Sequence, residues 1–179
     1  MLPRNIYSGE WQQDPALTDY RVETFSDMWI ERATWHPGTP PEHFADMRIG
    51  ELHYGGPGYI WVRFWLLKEE RIVEKYFTQE GEALGLYIPV CMPPTPMQRQ
   101  YTAQGLVLAL WYQENGRMTV LHEDEFDEGV ASGEVSPVES EQAEYLIRNL
   151  TLDISKKQFP SALIRNFALD TDINDYRNY

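Results

Sequence analysis

Leu106, Leu108 and Leu110 alternate with Gly105, Val107, Ala109 and Trp111, a period-two pattern that predicts a strand. Asn115-Gly116 follows, the pair that most readily takes positive φ, so the chain is expected to reverse there and return through residues 117–121. The same alternation runs through residues 59–67, 72–78 and 82–91. In the first of these it sets Ile60, Val62, Phe64 and Leu66 on one face and Tyr59, Trp61, Arg63 and Trp65 on the other. Short turns at residues 68–71 and at Gln79-Glu80-Gly81 join these strands, which predicts antiparallel neighbours. Residues 21–35 read as one or two further strands. Residues 47–54 read as a short one, ended at Gly55-Gly56-Pro57-Gly58.

The period changes after residue 135. Ser136-Pro137-Val138-Glu139 has the form of a capping box with Pro in the first turn. Ala143, Leu146, Ile147, Leu150 and Ile154 follow at helical spacing, so a helix of about 18 residues is expected to lay an apolar stripe on the sheet. Residues 161–167 suggest one more helical turn, and residues 169–179 a mobile acidic tail. At the other end, residues 1–20 carry Pro3, Gly9 and Pro15 and read as an irregular arm tied down by Tyr7 and Trp11. The proline-rich residues 92–98 are expected to stay outside regular structure. The fold class that results is α+β, mainly β: an antiparallel six- to eight-stranded barrel or bent sheet with a capping C-terminal helix. Its divisions are an arm at 1–20, the barrel domain at 21–160 and an extension at 161–179.

A net charge of −13 over 179 residues argues against duplex nucleic acid or an anionic membrane as partner. Cys91 is the only cysteine, which excludes an intrachain disulfide and fits a reducing cytoplasm. Three features then bear on chemistry. The face of Tyr59, Trp61, Arg63 and Trp65 reads either as a stacking platform for a base or as a surface packed under the N-terminal arm or in a homo-oligomer. The glycine turn at 55–58 lacks the following helix and Lys of a phosphate loop, so a hairpin turn is the expectation. The acidic run Glu123, Asp124, Glu125, Asp127 and Glu128 is either a metal or phosphate site at a sheet rim or a solvated helix start.

An apolar strand, a turn at a glycine, a short strand ending in Leu121, an acidic run and a helix together resemble the domain-of-unknown-function family number 402. The segment EKYFTQEGEALGLYIPVCMPP at 74–94 is similar to that family's preceding hairpin, and the likeness spans residues 72–160. The family includes bacterial nucleoside di- and triphosphatases and the cytidylyl-phosphonate hydrolase of fosfomycin biosynthesis. The resemblance implies a barrel whose long strand holds divalent cations through alternating acids, D-x-D-x-D. Those places fall on Gly105, Val107 and Ala109; the family's Asn falls on Pro89, and its next acid on His122. Mg²⁺ and Mn²⁺ want hard oxygen ligands, which Gly, Val, Ala and Pro side chains lack.

Three expectations follow. The first is a binding module without cofactor for a phosphorylated small molecule, nucleotide or other anion. On it Arg63, Lys75 and Tyr87 line the cavity, Trp61, Trp65, Arg63 and Lys75 contact the ligand, and Lys75 and Tyr87 are the catalytic candidates. The second is a phosphatase whose Mg²⁺ or Mn²⁺ is held by a rebuilt set, His122, Glu123, Asp124 and Glu125. The third is a structural subunit using the aromatic face of residues 59–65.

Overall fold

In the computed structural model of this chain, residues 5–170 are described; positions 171–179 of the acidic tail lie outside them. Strand β1 (Asn5–Tyr7) and the one-turn helix α1 (Glu10–Gln13) lead into β2 (Leu17–Thr24) and β3 (Met28–Trp35). A 3-10 turn at Pro41–Phe44 and the small hairpin of β4 (Arg48–Ile49) and β5 (Leu52–His53) come next. Then follow β6 (Ile60–Leu66), β7 (Arg71–Phe77), β8 (Ala83–Cys91), β9 (Thr95–Met97), β10 (Gln100–Tyr112) and β11 (Met118–Leu121). Helices α2 (Glu123–Ser132), α3 (Pro137–Ser155) and α4 (Ala162–Arg165) complete the described chain.

One nine-stranded antiparallel sheet runs in the order β1-β10-β8-β7-β6-β3-β2, with β9 and β11 also paired to β10. It curls into a half-barrel, so the fold is α+β and mainly β. Two three-residue strands carry the count beyond the expected six to eight, and both come from stretches read as irregular. β1 pairs with residues 102–104 of β10, and β2 already begins at Leu17, so the N-terminal stretch is woven into the sheet. β9 pairs with β10 from one side, where Pro96 removes no donor that a second neighbour needs. Asn115-Gly116 turns as its composition predicts: Gly116 has φ 86, and the Gly116 amide donates to the Gln113 carbonyl at 2.9 Å.

Each central strand is buried on both sides. On one side Val62, Phe64, Val73, Phe77, Leu86, Ile88 and Leu110 meet Leu150 and Ile154 of α3 and Ile164 by α4. The Ser136 capping box forms as the sequence predicts and fixes where α3 starts. Full burial of each such side chain contributes about 1.5–3 kcal/mol, which is what holds the helices to the sheet. On the other side Trp11, Trp35, Trp61, Tyr76 and Trp111 pack together, with Trp65, Ile72, Cys91 and Ala103 beside them. Among the described residues no helix is long and apolar enough to cross a membrane.

Candidate functional site

The register of the sheet lines up polar residues that lie far apart in sequence. Glu31 pairs with Arg63, Arg63 with Glu74, and Glu74 with Tyr87, across β3, β6, β7 and β8. Directly opposed residues of antiparallel strands point to the same face, so these four form one rank. The Arg63 Nε donates to Glu74 Oε2 at 3.0 Å, and its Nη1 donates to Glu10 Oε1 at 2.7 Å. Glu31 Oε2 stands 4.0 Å from the same Nη1, and the guanidinium lies 4.3 Å from the centre of the Trp11 ring. Burial works against the charge of Arg63, but Glu74, Glu10 and Glu31 outweigh it and hold the guanidinium above its ordinary range. Glu31, fully buried, accepts from the Gly9 amide, the Tyr20 hydroxyl at 2.6 Å and the Trp65 indole at 2.6 Å. The Tyr76 hydroxyl donates to Glu74 Oε1 at 2.7 Å.

A cavity of about 530 Å³ opens over this rank. Glu10, Arg63 and Glu74 line one part, and Tyr54, Trp61, Tyr76 and Tyr87 form an aromatic wall. The wall is stacked: Trp61 and Tyr76 lie 4.3 Å apart at 23°, and Tyr54 and Tyr76 lie 5.4 Å apart at 19°. Gly85 opens space behind it, since a Cβ there would sit 2.6 Å from the Trp111 ring. Burial first, and Glu74 next, push the phenols of Tyr54, Tyr76 and Tyr87 above the usual tyrosine range.

The rest of the lining comes mainly from β8, β10 and the start of α2. Pro89, Gly105, Val107, His122 and Glu125 all line the cavity there. Ala109 is fully buried and sits beside Pro89 in the β8–β10 register. That register breaks between Gly105 and Ala109, and Val107, inside the break, has φ 75. A β-branched residue rarely takes that conformation. His122 hands β11 over to α2, also in the left-handed region with φ 66. Its Nε2 lies 3.2 Å from the Tyr87 hydroxyl, and its Nδ1 lies 3.3 Å from Glu125 Oε1.

The structure thus brings Trp61, Arg63, Tyr87, His122 and Glu125 to one cavity. It does not bring Lys75. Alternation in β7 sends Lys75 to the helix-covered side, opposite Val62, while Glu74 faces the cavity. There the Lys75 Nζ donates to the carbonyls of Ile164, Arg165 and Phe167 at 2.8–3.0 Å. Trp65 is fully buried against Ile72, Cys91 and Ala103 with its indole N–H on Glu31, away from the cavity lining. On the face of residues 59–65, Trp61, Arg63 and Trp65 are buried, with Trp61 9% exposed and Trp65 at 0%, while Tyr59 is half-buried. Glu123 and Asp124 are exposed on the first turn of α2 and do not line the cavity.

Glu10, Glu31, Glu74, Tyr54 and Tyr76 were not among the sequence candidates. One signal was legible for Glu74 and Tyr76: an acid and a phenol share one parity within an apolar strand. Glu10 and Glu31 carry no such mark. Pro89, Gly105, Val107 and Ala109 bring no side-chain oxygen to the lining. Among the described residues no group of three or more His, Cys, Asp or Glu side chains is arranged to hold a metal ion.

No protein-family model matches this chain, and no curated protein is similar to it in sequence. Solved structures are similar in fold. The phosphatase SC4828, crystallised with the non-hydrolysable nucleotide GPCP, superimposes with a TM-score of 0.60 at 14% identity, over 79% of this chain and 74% of that one. FomD in complex with CDP gives 0.60 at 9% identity, over 83% and 81%. A DUF402 protein of unknown function from Rhodococcus sp. RHA1 gives 0.50 at 14% identity, over 78% and 73%. At these identities the likeness establishes the shared fold: this chain folds as these three proteins do.

Proposed function

We propose that this chain is a binding module on the nucleotide-phosphatase fold, which takes the base end of a nucleotide-like ligand and no longer runs divalent-cation hydrolysis. One observation carries the reading. Of the three positions that the family resemblance assigns to cation-holding acids, Gly105 and Val107 line the cavity and Ala109 lies buried beside Pro89, the place of the family's Asn, which lines it too. Mg²⁺ and Mn²⁺ demand several converging oxygens. This part of the lining supplies His122 and Glu125, while Glu74 is already engaged by Arg63 and Tyr76. Such a donor set does not fit a pair of divalent cations.

What remains is an aromatic wall. Stacking of a base on such a wall contributes about 1–3 kcal/mol and tolerates any ring with a π-face. Isothermal titration with CDP and GDP in EDTA should therefore detect binding that Trp61→Ala weakens. The same nucleotides with Mn²⁺ should release no phosphate. A second reading, hydrolysis through one ion, is favoured by a single feature: His122 and Glu125 stand side by side at the cavity. Mn²⁺-dependent turnover that disappears in Glu125→Gln would reinstate it.

A further inference from the structure

Charge and hydrogen-bonding capacity in the same cavity select among nucleotide-like ligands. The carboxylates of Glu10, Glu74 and Glu125 line it, with Glu31 behind them, against the one guanidinium of Arg63. That guanidinium is engaged: Glu74 and Glu10 hold it at 3.0 Å and 2.7 Å. Among the described residues of the lining, a phosphate would therefore meet surplus negative charge with no unpaired Lys or Arg to balance it, and burial strengthens that repulsion. Acceptors, by contrast, are in excess. Glu74 Oε1 accepts from Tyr76 and Oε2 from Arg63, and each oxygen keeps a second lone pair. Burial first, and the Glu74 carboxylate second, raise the phenols of Tyr54, Tyr76 and Tyr87 above their ordinary range.

We propose, resting on the binding reading above, that the cavity seats an amino-bearing heteroaromatic ring with its N–H donors turned to these carboxylates, and leaves phosphate outside. The stacked wall of Tyr54, Trp61 and Tyr76 holds the flat ring; Glu74, Glu10 and Glu125 receive its amino hydrogens, as carboxylates do for the exocyclic amine of cytosine. A volume of about 530 Å³ admits a nucleoside.

The test is calorimetry on the wild-type chain in EDTA with matched pairs: cytidine against uridine, and guanosine against inosine, with CDP as the phosphorylated member. Inosine is guanosine without its exocyclic amine; uridine carries a carbonyl where cytidine carries the amine, and a ring N–H where cytidine carries an acceptor. Cytidine and guanosine should bind about tenfold tighter than their partners, and CDP no tighter than cytidine. Glu74→Gln should shrink the cytidine-to-uridine ratio. Because Glu74 also anchors Arg63, Glu125→Gln at the exposed rim is measured beside it, with circular dichroism on both. Uridine equal to cytidine, CDP tenfold tighter than cytidine, or a ratio untouched in both folded variants would overturn this inference and leave the binding reading standing. Silence from all five compounds would remove both.

Discussion

Arg63 and Lys75 are two buried cations on neighbouring strands of one sheet, and the two sides of the sheet treat them in opposite ways. On the cavity side Arg63 is surrounded by Glu10, Glu31 and Glu74, which hold its charge in place against burial. On the helix side Lys75 meets carbonyl oxygens at the end of α4, and burial pushes its ammonium down to about 8 although Glu114 pulls the other way. One cation organises a polar rank inside a cavity; the other clasps a helix to an apolar layer. Alternation along β6 and β7 separates the two roles over a few residues: Glu74 and Tyr76 on one side, Val73, Lys75 and Phe77 on the other. A sheet buried on both faces can thus carry a site on one and stability on the other.

The largest effect should come from removing the cavity-side cation. Arg63→Met leaves three carboxylates without their partner, and breaking a buried pair in this way costs about 3–5 kcal/mol. Chemical denaturation measures the loss, and adding Glu74→Gln should restore part of it. If Arg63→Met were neutral, the polar rank would not be what braces that face. The apolar side answers next. Leu110→Ala, at a fully buried position of β10, should cost about 2–4 kcal/mol by leaving a cavity, with nucleoside binding retained in the folded fraction.

Lys75 gives a pH signature that Arg63 cannot. Its folded pKa, about 8, lies below the ordinary 10.5, so the native state releases this proton first. Native stability should therefore gain from this group as pH rises from about 8 towards 10.5, while below 8 the cost of the buried ammonium is constant. Denaturation curves across that range should show the rise in the wild type and its loss in Lys75→Met. A wild-type curve falling through the same window, beside a flat one for the variant, would contradict the assignment. The smallest effect concerns Val107. At φ 75 the left-handed region costs an ordinary residue about 1–2 kcal/mol, and Asn tolerates it better. Val107→Asn should hold or raise the midpoint of thermal unfolding.

The site was legible only in part, and parity explains which part. Tyr87 was read at the cavity and lines it; His122, read as a candidate metal ligand, stands 3.2 Å from the Tyr87 hydroxyl. Trp61, Arg63 and Trp65 were placed on one face correctly, yet Trp65 turns its N–H to Glu31 and never reaches the lining. Lys75 was grouped with Arg63 by charge, whereas the register sets Glu74 opposite Arg63 and Val62 opposite Lys75. The sequence offered that parity within β7, but which parity faces a cavity depends on what covers each side. Glu10 shows the limit most clearly: it lies 53 residues from the guanidinium it binds, on a segment that reads as an irregular arm.

Local chemistry in the chain was enough to set the long strands β6, β7, β8 and β10, the Asn115-Gly116 reversal, the capped start of α3 and the want of side-chain oxygens at Pro89, Gly105, Val107 and Ala109. Each of these follows from the residue itself or from neighbours within a turn or two. The rank Glu31–Arg63–Glu74–Tyr87, the separation of Lys75 from it and the charge of the cavity were decided only by tertiary structure. They depend on strand register and on which face each helix covers, and both are fixed by contacts between segments distant in sequence.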